Sequence, residues 1–316
     1  LSGTDFGLLA KAHDLKAKLG GTDTVTAVLL GDNVAGLVDT LYAYGAEQVI
    51  LAENANLKDY SARPYEKVLV DLANKYKPSI FLFAASPIGR DVAPRVMCDL
   101  RTGLTADAID LDVDEDGVFV QTTPNFGGNI LSHIVILEKR PQMVTVHPKV
   151  FEPFAPKVGA AGELITESVE VEADADYVVL ETSMKKFEGK PIDECDVLVA
   201  GGRGIKSEED LAQLRELAQL LGGELACSRP LNDNGWMPHE DQIGQSGTTV
   251  KPKFILNVAI SGSVQYLAGM QNSGCIMSIN HTASAPIYDV SHYGAVVDYR
   301  KVIPALIEEI KARKAK

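Results

Sequence analysis

The stretch DVLVAGGRGIKSEEDLAQLRELAQLLGGELAC, residues 196–227, reads as strand, glycine turn, helix and strand in immediate succession. Residues 196–200 are a short, buried-type apolar run that stops at Gly201-Gly202-Arg203-Gly204. Ser207, with Asp210 three places later, has the spacing of a capping box, in which the Ser hydroxyl takes an N–H of the first turn. Leucines then recur at helical spacing up to residue 221, and Gly222-Gly223 closes the helix with residues free to turn left-handed. Residues 224–227 restart a strand. Two strands bridged by a helix through short connections predict a parallel pair, the unit of an α/β fold.

Outward from this unit the alternation continues. Towards the C-terminus, residues 254–260 (FILNVAI) form an apolar strand-like run, and a helix is predicted from about Ser263 to Met270. Residues 275–279 and 295–297 read as further strands, and an amphipathic helix covers residues 303–314. Towards the N-terminus, residues 25–30 (VTAVLL), 48–52 (QVILA) and 79–84 (SIFLFA) read as strands, separated by helices over residues 34–44 and around residues 66–76. Another helix follows Gly89. Residues 111–120, 133–137 and 143–147 have strand character. Pro153 and Pro156 break residues 150–164 into a surface crossing, after which residues 168–173 and 177–182 look like two more strands. The hydrophobic pattern lapses at KFEGKPIDE, residues 186–194, which sets a domain boundary. The fold class is α/β in two domains, residues 1–187 and 188–316, each a mainly parallel sheet with flanking helices, the second Rossmann-like.

At 316 residues the chain has material for two cores, and 46% hydrophobic with 23% charged residues is the balance of a soluble globular protein. A formal net charge of −13 argues against a nucleic-acid groove, which needs clustered Lys and Arg. The one dense basic run, KARKAK at the C-terminus, reads as a solvated helix end. No apolar run reaches the roughly 18 residues that span a bilayer, so no stable membrane insertion is expected. Neither a signal-peptide pattern nor an initiator Met precedes the first helix, so the expectation is a cytoplasmic protein with a short segment ahead of Leu1. Cys98, Cys195, Cys227 and Cys275 stand far apart without a CxxC pair, and the six histidines show no ligand spacing. No metal site is expected, and the thiols are expected to be reduced and mostly buried.

In an open parallel sheet, ligands bind beyond the carboxyl ends of the strands. The predicted strand ends of the second domain carry GGRG (201–204), CSRP (227–230) and SGSVQ (261–265), and IGQSG (243–247) lies in the long connection between the second and third strands. Small residues let backbone N–H groups approach an anion, and a helix start adds a favourable dipole, so Ser261-Gly262-Ser263 is a candidate pyrophosphate cradle. Arg203 and Arg229 can neutralise phosphate or a negative charge on a ring. GGRG alone equally fits a structural glycine turn, since it lacks the full G-x-G-x-x-G spacing; the case rests on four such loops meeting at one sheet edge. In the first domain Arg90, Asp91 and Arg95 follow SPIG at a helix start, where they either pair with one another or contact a partner subunit. No paired carboxylates and no Ser/His or Cys/His constellation stand out, an absence that fits an electron carrier. Rival classes are a regulatory module holding an adenine nucleotide and an NAD-dependent enzyme on a similar sheet.

VAGGRGIKSEEDL (199–211), LACSRP (225–230), IGQSG (243–247), ISGSVQYLAGM (260–270) and SINHTASAPIYDVSHYGAVVDY (278–299) resemble, in this order, the FAD-binding domain of the electron transfer flavoprotein alpha-subunit family. GRDVAPRVMCDLRTGLTAD (89–107) and NFGGNIL (125–131) resemble that family's first domain, so the likeness spans nearly the whole chain. The resemblance implies one FAD in the second domain and a beta subunit as partner, itself holding AMP or a second FAD. It implies flavin-dependent dehydrogenases, such as acyl-CoA dehydrogenase, as electron donors. Arg203 and Ser228 would contact the cofactor from the first two strand ends, and Arg229 would lie beside the isoalloxazine ring. Ile243, Gly244, Gln245 and Ser246 would line that ring. Ser261, Gly262, Ser263, Val264, Gln265 and Tyr266 would hold the pyrophosphate and the ring's O2 side, and Asn280, Asp298 and Tyr299 the adenosine half. Arg229, Ser246 and Tyr266 would tune the flavin. Ser246 stands where many members have Thr, which keeps the hydroxyl. Tyr266 stands where many have His, and its phenol stays neutral where an imidazole could carry charge. The family holds plain carriers and bifurcating members that oxidise NADH with a second FAD in the beta subunit, and the beta subunit decides between them.

Overall fold

The computed structural model describes residues 1–125, 130–183 and 189–314, and the chain divides into two compact units, Leu1–Ser183 and Met184–Lys316. The boundary expected between residues 187 and 188 lies outside the described residues, as do residues 126–129 of NFGGNIL.

The first unit runs α1 (Gly3–Lys18), β1 (Thr26–Gly31), α2 (Val38–Ala43), β2 (Gln48–Glu53), α3 (Ala62–Tyr76), β3 (Ile80–Ala84), α4 (Pro87–Leu100), β4 (Leu104–Ala108), β5 (Asp110–Val113), β6 (Phe119–Asn125), β7 (Ile130–Ile134), β8 (Gln142–Val146) and β9 (Glu163–Ser168). Two three-stranded parallel sheets, β1-β2-β9 and β3-β8-β4, stand beside an antiparallel one, β5-β6-β7. α4 starts two residues before Gly89 because Ser86 caps it, taking the Gly89 N–H at 3.1 Å, and Pro87 occupies the first helical position. The strands expected over residues 168–173 and 177–182 do not form. β9 lies earlier, pairing Glu163 with Gln48 through Ser168 with Glu53. Beyond it, the Asn54 and Asn56 side-chain amides donate to the carbonyls of Val169 and Val171, each at 2.9 Å, so the ladder is replaced by side-chain bonds.

The second unit runs β10 (Val197–Gly201), α5 (Glu208–Leu220), β11 (Glu224–Cys227), α6 (Arg229–Asp233), β12 (Phe254–Val258), α7 (Val264–Leu267), β13 (Cys275–Asn280), β14 (Tyr293–Val296) and α8 (Tyr299–Lys314). Every pairing in its sheet is parallel, in the spatial order β11-β10-β12-β13-β14. The chain winds one way to reach β11 and the other way to reach β12, so the topological switch point falls between β10 and β12. The period of two decides what each face holds. Val199, Leu225, Cys227, Leu256, Val258 and Ile279 pack against α5 and α8, whereas Leu198, Ala200, Ala226, Ile255 and Ile276 pack against Ile243, Tyr266, Met270 and Ile287. Ser207 caps α5 as its spacing requires, taking the Asp210 N–H at 3.1 Å.

Leu214 is fully buried where α5 meets the sheet. Leu214→Ala removes most of that side chain and leaves a cavity, which is expected to cost about 2–5 kcal/mol of unfolding free energy. The measurement is a urea titration, with a lower midpoint at unchanged slope; an unchanged midpoint would show that α5 does not seal this face.

Candidate functional site

The ends of β10 and β12 are knitted together. The N–H of Gly202 donates to Val258 O at 2.9 Å and that of Gly204 to Ala259 O at 3.2 Å. Ala259 holds a left-handed backbone, φ 55°, and a Cβ on Gly202 would stand 2.3 Å from the Ala259 carbonyl oxygen. The glycine turn is therefore demanded by contact between two strand ends, the structural reading of GGRG. Its consequence is positional. The turn carries Arg203 outward, exposed and without a side-chain partner among the described residues.

At the end of β12, Gly262 has φ 86°, and a Cβ there would meet the Ile287 nitrogen at 2.5 Å. The Ile287 N–H donates to Ser261 O at 3.0 Å, which pins the loop from the other side. Ser263 caps α7, its Oγ taking the Tyr266 N–H at 3.4 Å. α7 is a single turn rather than a helix reaching Met270, because the N–H groups of Gly269 and Met270 reach back only three residues, to Tyr266 and Leu267, and tighten the chain. One turn carries little macrodipole, so anion binding falls to individual donors. Those donors are present: the N–H groups of Val264 and Gln265, in the first turn of α7, take no partner among the described residues, and Ser261 and Ser263 are exposed.

The IGQSG loop is laid over this turn. The Ile243 N–H donates to Cys227 O at 2.8 Å, tying the loop to the end of β11, and the Gln245 N–H donates to Gln265 O at 2.8 Å. Gln245 and Ser246 are exposed, and Ser246 Oγ takes a bond from the Gln242 side chain at 3.2 Å. Beside it, the Ser228 N–H donates to Gly201 O at 2.9 Å. Arg229 opens α6, a helix of five residues that the sequence pattern does not announce; its guanidinium is largely exposed and pairs with Asp233 at 3.3 Å. Asn280, at the end of β13, is buried and already employed: Nδ2 donates to Ile260 O at 2.8 Å and Oδ1 takes the Thr282 N–H at 3.0 Å. Asp298 is exposed, and its carboxylate takes the Arg300 N–H at 3.0 Å at the start of α8.

The fold thus gathers Arg203, Ser228, Arg229, residues 243–246, Ser261 to Gln265, Asn280 and Asp298 at the carboxyl edge of one sheet. Tyr266 and Tyr299 differ from expectation, because both rings face inward. Tyr266 is 3% exposed, its hydroxyl donates to Asn257 Oδ1 at 2.6 Å, and burial pushes the phenol well above its ordinary range. Its hydroxyl is thus spent inside the core, where burial disfavours a phenolate. Tyr299, the first residue of α8, packs in the core shared with α5, and its hydroxyl donates to Asp210 Oδ2 at 2.7 Å. Asn257, Ser278 and Ser291 escaped notice in the sequence. Their signal is a polar residue inside an apolar central strand, FILNV and CIMSIN, followed by a serine in the next turn.

In the first unit a cleft of about 360 Å³ is lined by Tyr60, Arg63, Asp91, Arg95, Asp174 and Tyr177 among others. Its charges are matched internally. Arg95 meets Asp91 at 3.2 Å, Arg63 meets Asp176 at 2.7 Å, and Tyr60 donates to Asp91 at 2.8 Å. Arg90 reaches Asp107 at 3.0 Å rather than its helix neighbours. All four thiols are free; Cys195 and Cys227 are buried, Cys275 is half-buried and Cys98 is exposed, and burial pushes Cys227 up to about 12. Among the described residues no group of His, Cys, Asp and Glu is placed to hold a metal, and no helix is long and apolar enough to cross a membrane.

Residues 1–174 match the electron transfer flavoprotein domain family, and residues 191–271 match the electron transfer flavoprotein FAD-binding domain family. The second match covers the GGRG, CSRP, IGQSG and SGSVQY segments. Over 97% of its length the chain is 42% identical to an electron transfer flavoprotein subunit alpha from Thermoanaerobacterium thermosaccharolyticum, covering 93% of that protein. It is 43% identical over 99% of its length to the corresponding subunit of Megasphaera elsdenii, covering 94% of it. It is also 40% identical, over 97% of its length, to the lactate dehydrogenase (NAD(+),ferredoxin) subunit LctC of Acetobacterium woodii, covering 73% of that protein.

Burial, and then the bond to Asp210, push the Tyr299 phenol up to about 12 from an ordinary 10.0. The neutral form is favoured in the folded state, so its stabilisation is complete below pH 10 and is lost as pH rises from about 10 to about 12. Tyr299→Phe is therefore expected to lose less stability than wild type across that window, measured as the difference between their urea midpoints. Parallel pH profiles would show that folding does not raise the Tyr299 phenol.

Proposed function

This chain belongs to the electron transfer flavoprotein alpha-subunit family, and from that membership we propose that it holds one FAD along the carboxyl edge of its second unit and passes electrons as the alpha subunit of a heterodimer. The observation that carries the reading is the set of unspent donors at the switch point: the exposed Arg203, the free N–H groups of Val264 and Gln265, and the hydroxyls of Ser261 and Ser263. A pyrophosphate fits this set because each donor offers hydrogen to oxygen without breaking a bond inside the fold. When bound, FAD would supply the reversible uptake of one or two electrons.

The protein's own residues bind and orient. Arg203 neutralises phosphate charge, while Ser261 and Ser263 with the α7 amides fix its position. Arg229 keeps a fixed positive charge near the end of β11, where its bond to Asp233 is an exposed pair that can open at little cost. Ser246 offers a hydroxyl at the rim. Tyr266 supports this loop from below rather than reaching across it.

The partner is a beta subunit, and the first unit offers it a surface. Ile130, Leu131 and Ile134 on β7, with Val135 and Leu137 after it, are exposed on an edge strand. Apolar side chains on an unpaired edge favour a covering partner. The electron donors are flavin-dependent dehydrogenases such as acyl-CoA dehydrogenase. A second reading is favoured by one relative, whose name contains NAD(+) and ferredoxin: a bifurcating complex with a second FAD in the beta subunit. Co-production with the partner subunit and extraction of bound cofactors separates them. One FAD with AMP supports the carrier, two FAD support bifurcation, and no flavin at all overturns both.

Arg203 has no side-chain partner among the described residues, so Arg203→Ala is expected to leave the thermal midpoint within experimental error of wild type. FAD affinity is expected to fall about 10- to 100-fold, the worth of one hydrogen bond to a charged group. Titration of FAD into the deflavinated heterodimer, at low and high salt, measures it; equal dissociation constants would remove Arg203 from the site.

A further inference from the structure

The loop that carries the free amides is held at both ends by one chain of hydrogen bonds running through the sheet. Asn257 on β12 and Ser278 on β13 are register neighbours on the face that α7 covers. The Tyr266 hydroxyl lies 2.6 Å from Asn257 Oδ1, and Asn257 Nδ2 lies 3.2 Å from Ser278 Oγ. Ser278 Oγ is 2.7 Å from Ser291 Oγ, and Ser291 Oγ is 2.7 Å from Ile287 O. The N–H of Ile287 then donates to Ser261 O at 3.0 Å. Ser261 and Tyr266 bound the cradle, so the chain leaves the loop at one end and returns to it at the other.

Counting protons fixes the direction of every bond. The carbonyl of Ile287 can only accept, so it takes the single proton of Ser291. Ser278 must therefore donate to Ser291, which leaves Ser278 only as an acceptor towards Asn257. The Asn257 amide consequently turns its nitrogen to Ser278 and its oxygen to Tyr266, and the phenol donates. The same nitrogen lies 3.5 Å from Met277 O, which agrees with that orientation. All side-chain donors point one way, from Tyr266 towards Ile287, and such chains strengthen each member by polarisation.

Two of these residues are costly where they stand. Asn257 and Ser278 are each 1% exposed, in strands whose other residues are Phe, Ile, Leu, Val, Met and Cys until β13 ends at Asn280. An apolar pair would serve the sheet as well, since buried amides and hydroxyls stabilise only when matched. What the polar pair adds is a rigid connection to a loop whose own helix is four residues long.

We propose that Asn257, Ser278 and Ser291 are positioning residues that hold the segment from Ser261 to Tyr266 in its receptive shape before FAD arrives. This rests on the FAD reading above and gives Tyr266 a role that needs no contact with the flavin. Ordering the loop during folding removes that entropy cost from binding, which is the benefit of preorganisation.

The test uses the deflavinated heterodimer of wild type, Ser278→Ala, Ser291→Ala and Ser291→Thr. Ser291 is half-buried, so the alanine variant opens little cavity and the threonine variant keeps the hydroxyl. In both alanine variants amide hydrogen exchange over residues 261–267 is expected to quicken about tenfold, with α5 and α8 unchanged, and the FAD dissociation constant to rise about tenfold. Ser291→Thr is expected to restore both. The proposal is overturned if exchange and affinity stay at wild-type values, if exchange quickens without loss of affinity, or if α5 and α8 quicken by the same factor, which marks general destabilisation. Failure of the wild type itself to bind FAD overturns the cofactor reading instead, and is read before any variant is made.

Discussion

The carboxyl ends of β10 and β12 approach until no side chain fits between them, and the second unit is organised around that approach. Gly202 meets the Ala259 carbonyl there, and Ala259 accepts a left-handed backbone to make the contact. The cost of such a backbone, on the order of 1–3 kcal/mol, is offset by two interstrand hydrogen bonds and by the apolar sheet behind them. Because β10 lies inside the sheet with β11 on one side and β12 on the other, its end is also where the direction of winding reverses. Loops leaving adjacent strands there diverge to opposite faces and leave a crevice between them.

The two faces of this sheet are closed by different means, and the difference locates the chemistry. One face is sealed by long helices, α5 and α8, whose leucines and isoleucines stack on Val199, Leu256 and Val258. Its backbone groups are satisfied within the helices. The other face is closed by a single-turn helix, the IGQSG loop and the turn over Pro286–Val290. Irregular backbone cannot satisfy its own N–H and C=O groups, so it needs side-chain partners. Asn280, Tyr288 and Ser291 supply them: Tyr288 Oη takes the Asn280 N–H at 3.0 Å, and its single proton lies between the Asn280 and Ala295 carbonyls, at 2.9 and 2.8 Å. Polar residues accumulate on this face for that reason, and donors left over at its rim become available to a ligand.

Charge follows the same division. The chain is strongly acidic, −13 overall, which by itself repels a dinucleotide. Arg203 is exposed at the end of β10 without a side-chain partner among the described residues, and Arg229, paired with Asp233, lies at the end of the neighbouring β11. In the first unit the arginines of the cleft, Arg63 and Arg95, are matched by Asp176 and Asp91. The two units use similar strands and helices to different ends.

The alternation of strands and helices was legible in the sequence, because burial on both faces of a parallel strand writes an apolar run such as VLVAG and a helix between them writes leucines at every third or fourth place. Ser207 before α5 and Gly222 after it marked that helix for equally local reasons. The carboxyl-edge loops were legible too, as GGRG, CSRP, IGQSG and SGSVQ, since small residues mark places of close backbone approach, although the backbones that Gly202 and Gly262 meet, at Ala259 and Ile287, are distant in the chain. Local patterning failed where the deciding partner is distant in the chain. Val169 and Val171 look like strand residues, yet the Asn54 and Asn56 side-chain amides donate to their carbonyls. The family resemblance assigned Tyr266 to the flavin, whereas its hydroxyl donates to Asn257 Oδ1 inside the core. Which side chains face a ligand and which are spent on the fold is settled by hydrogen bonds across strands, and these exist only once the sheet has set its register.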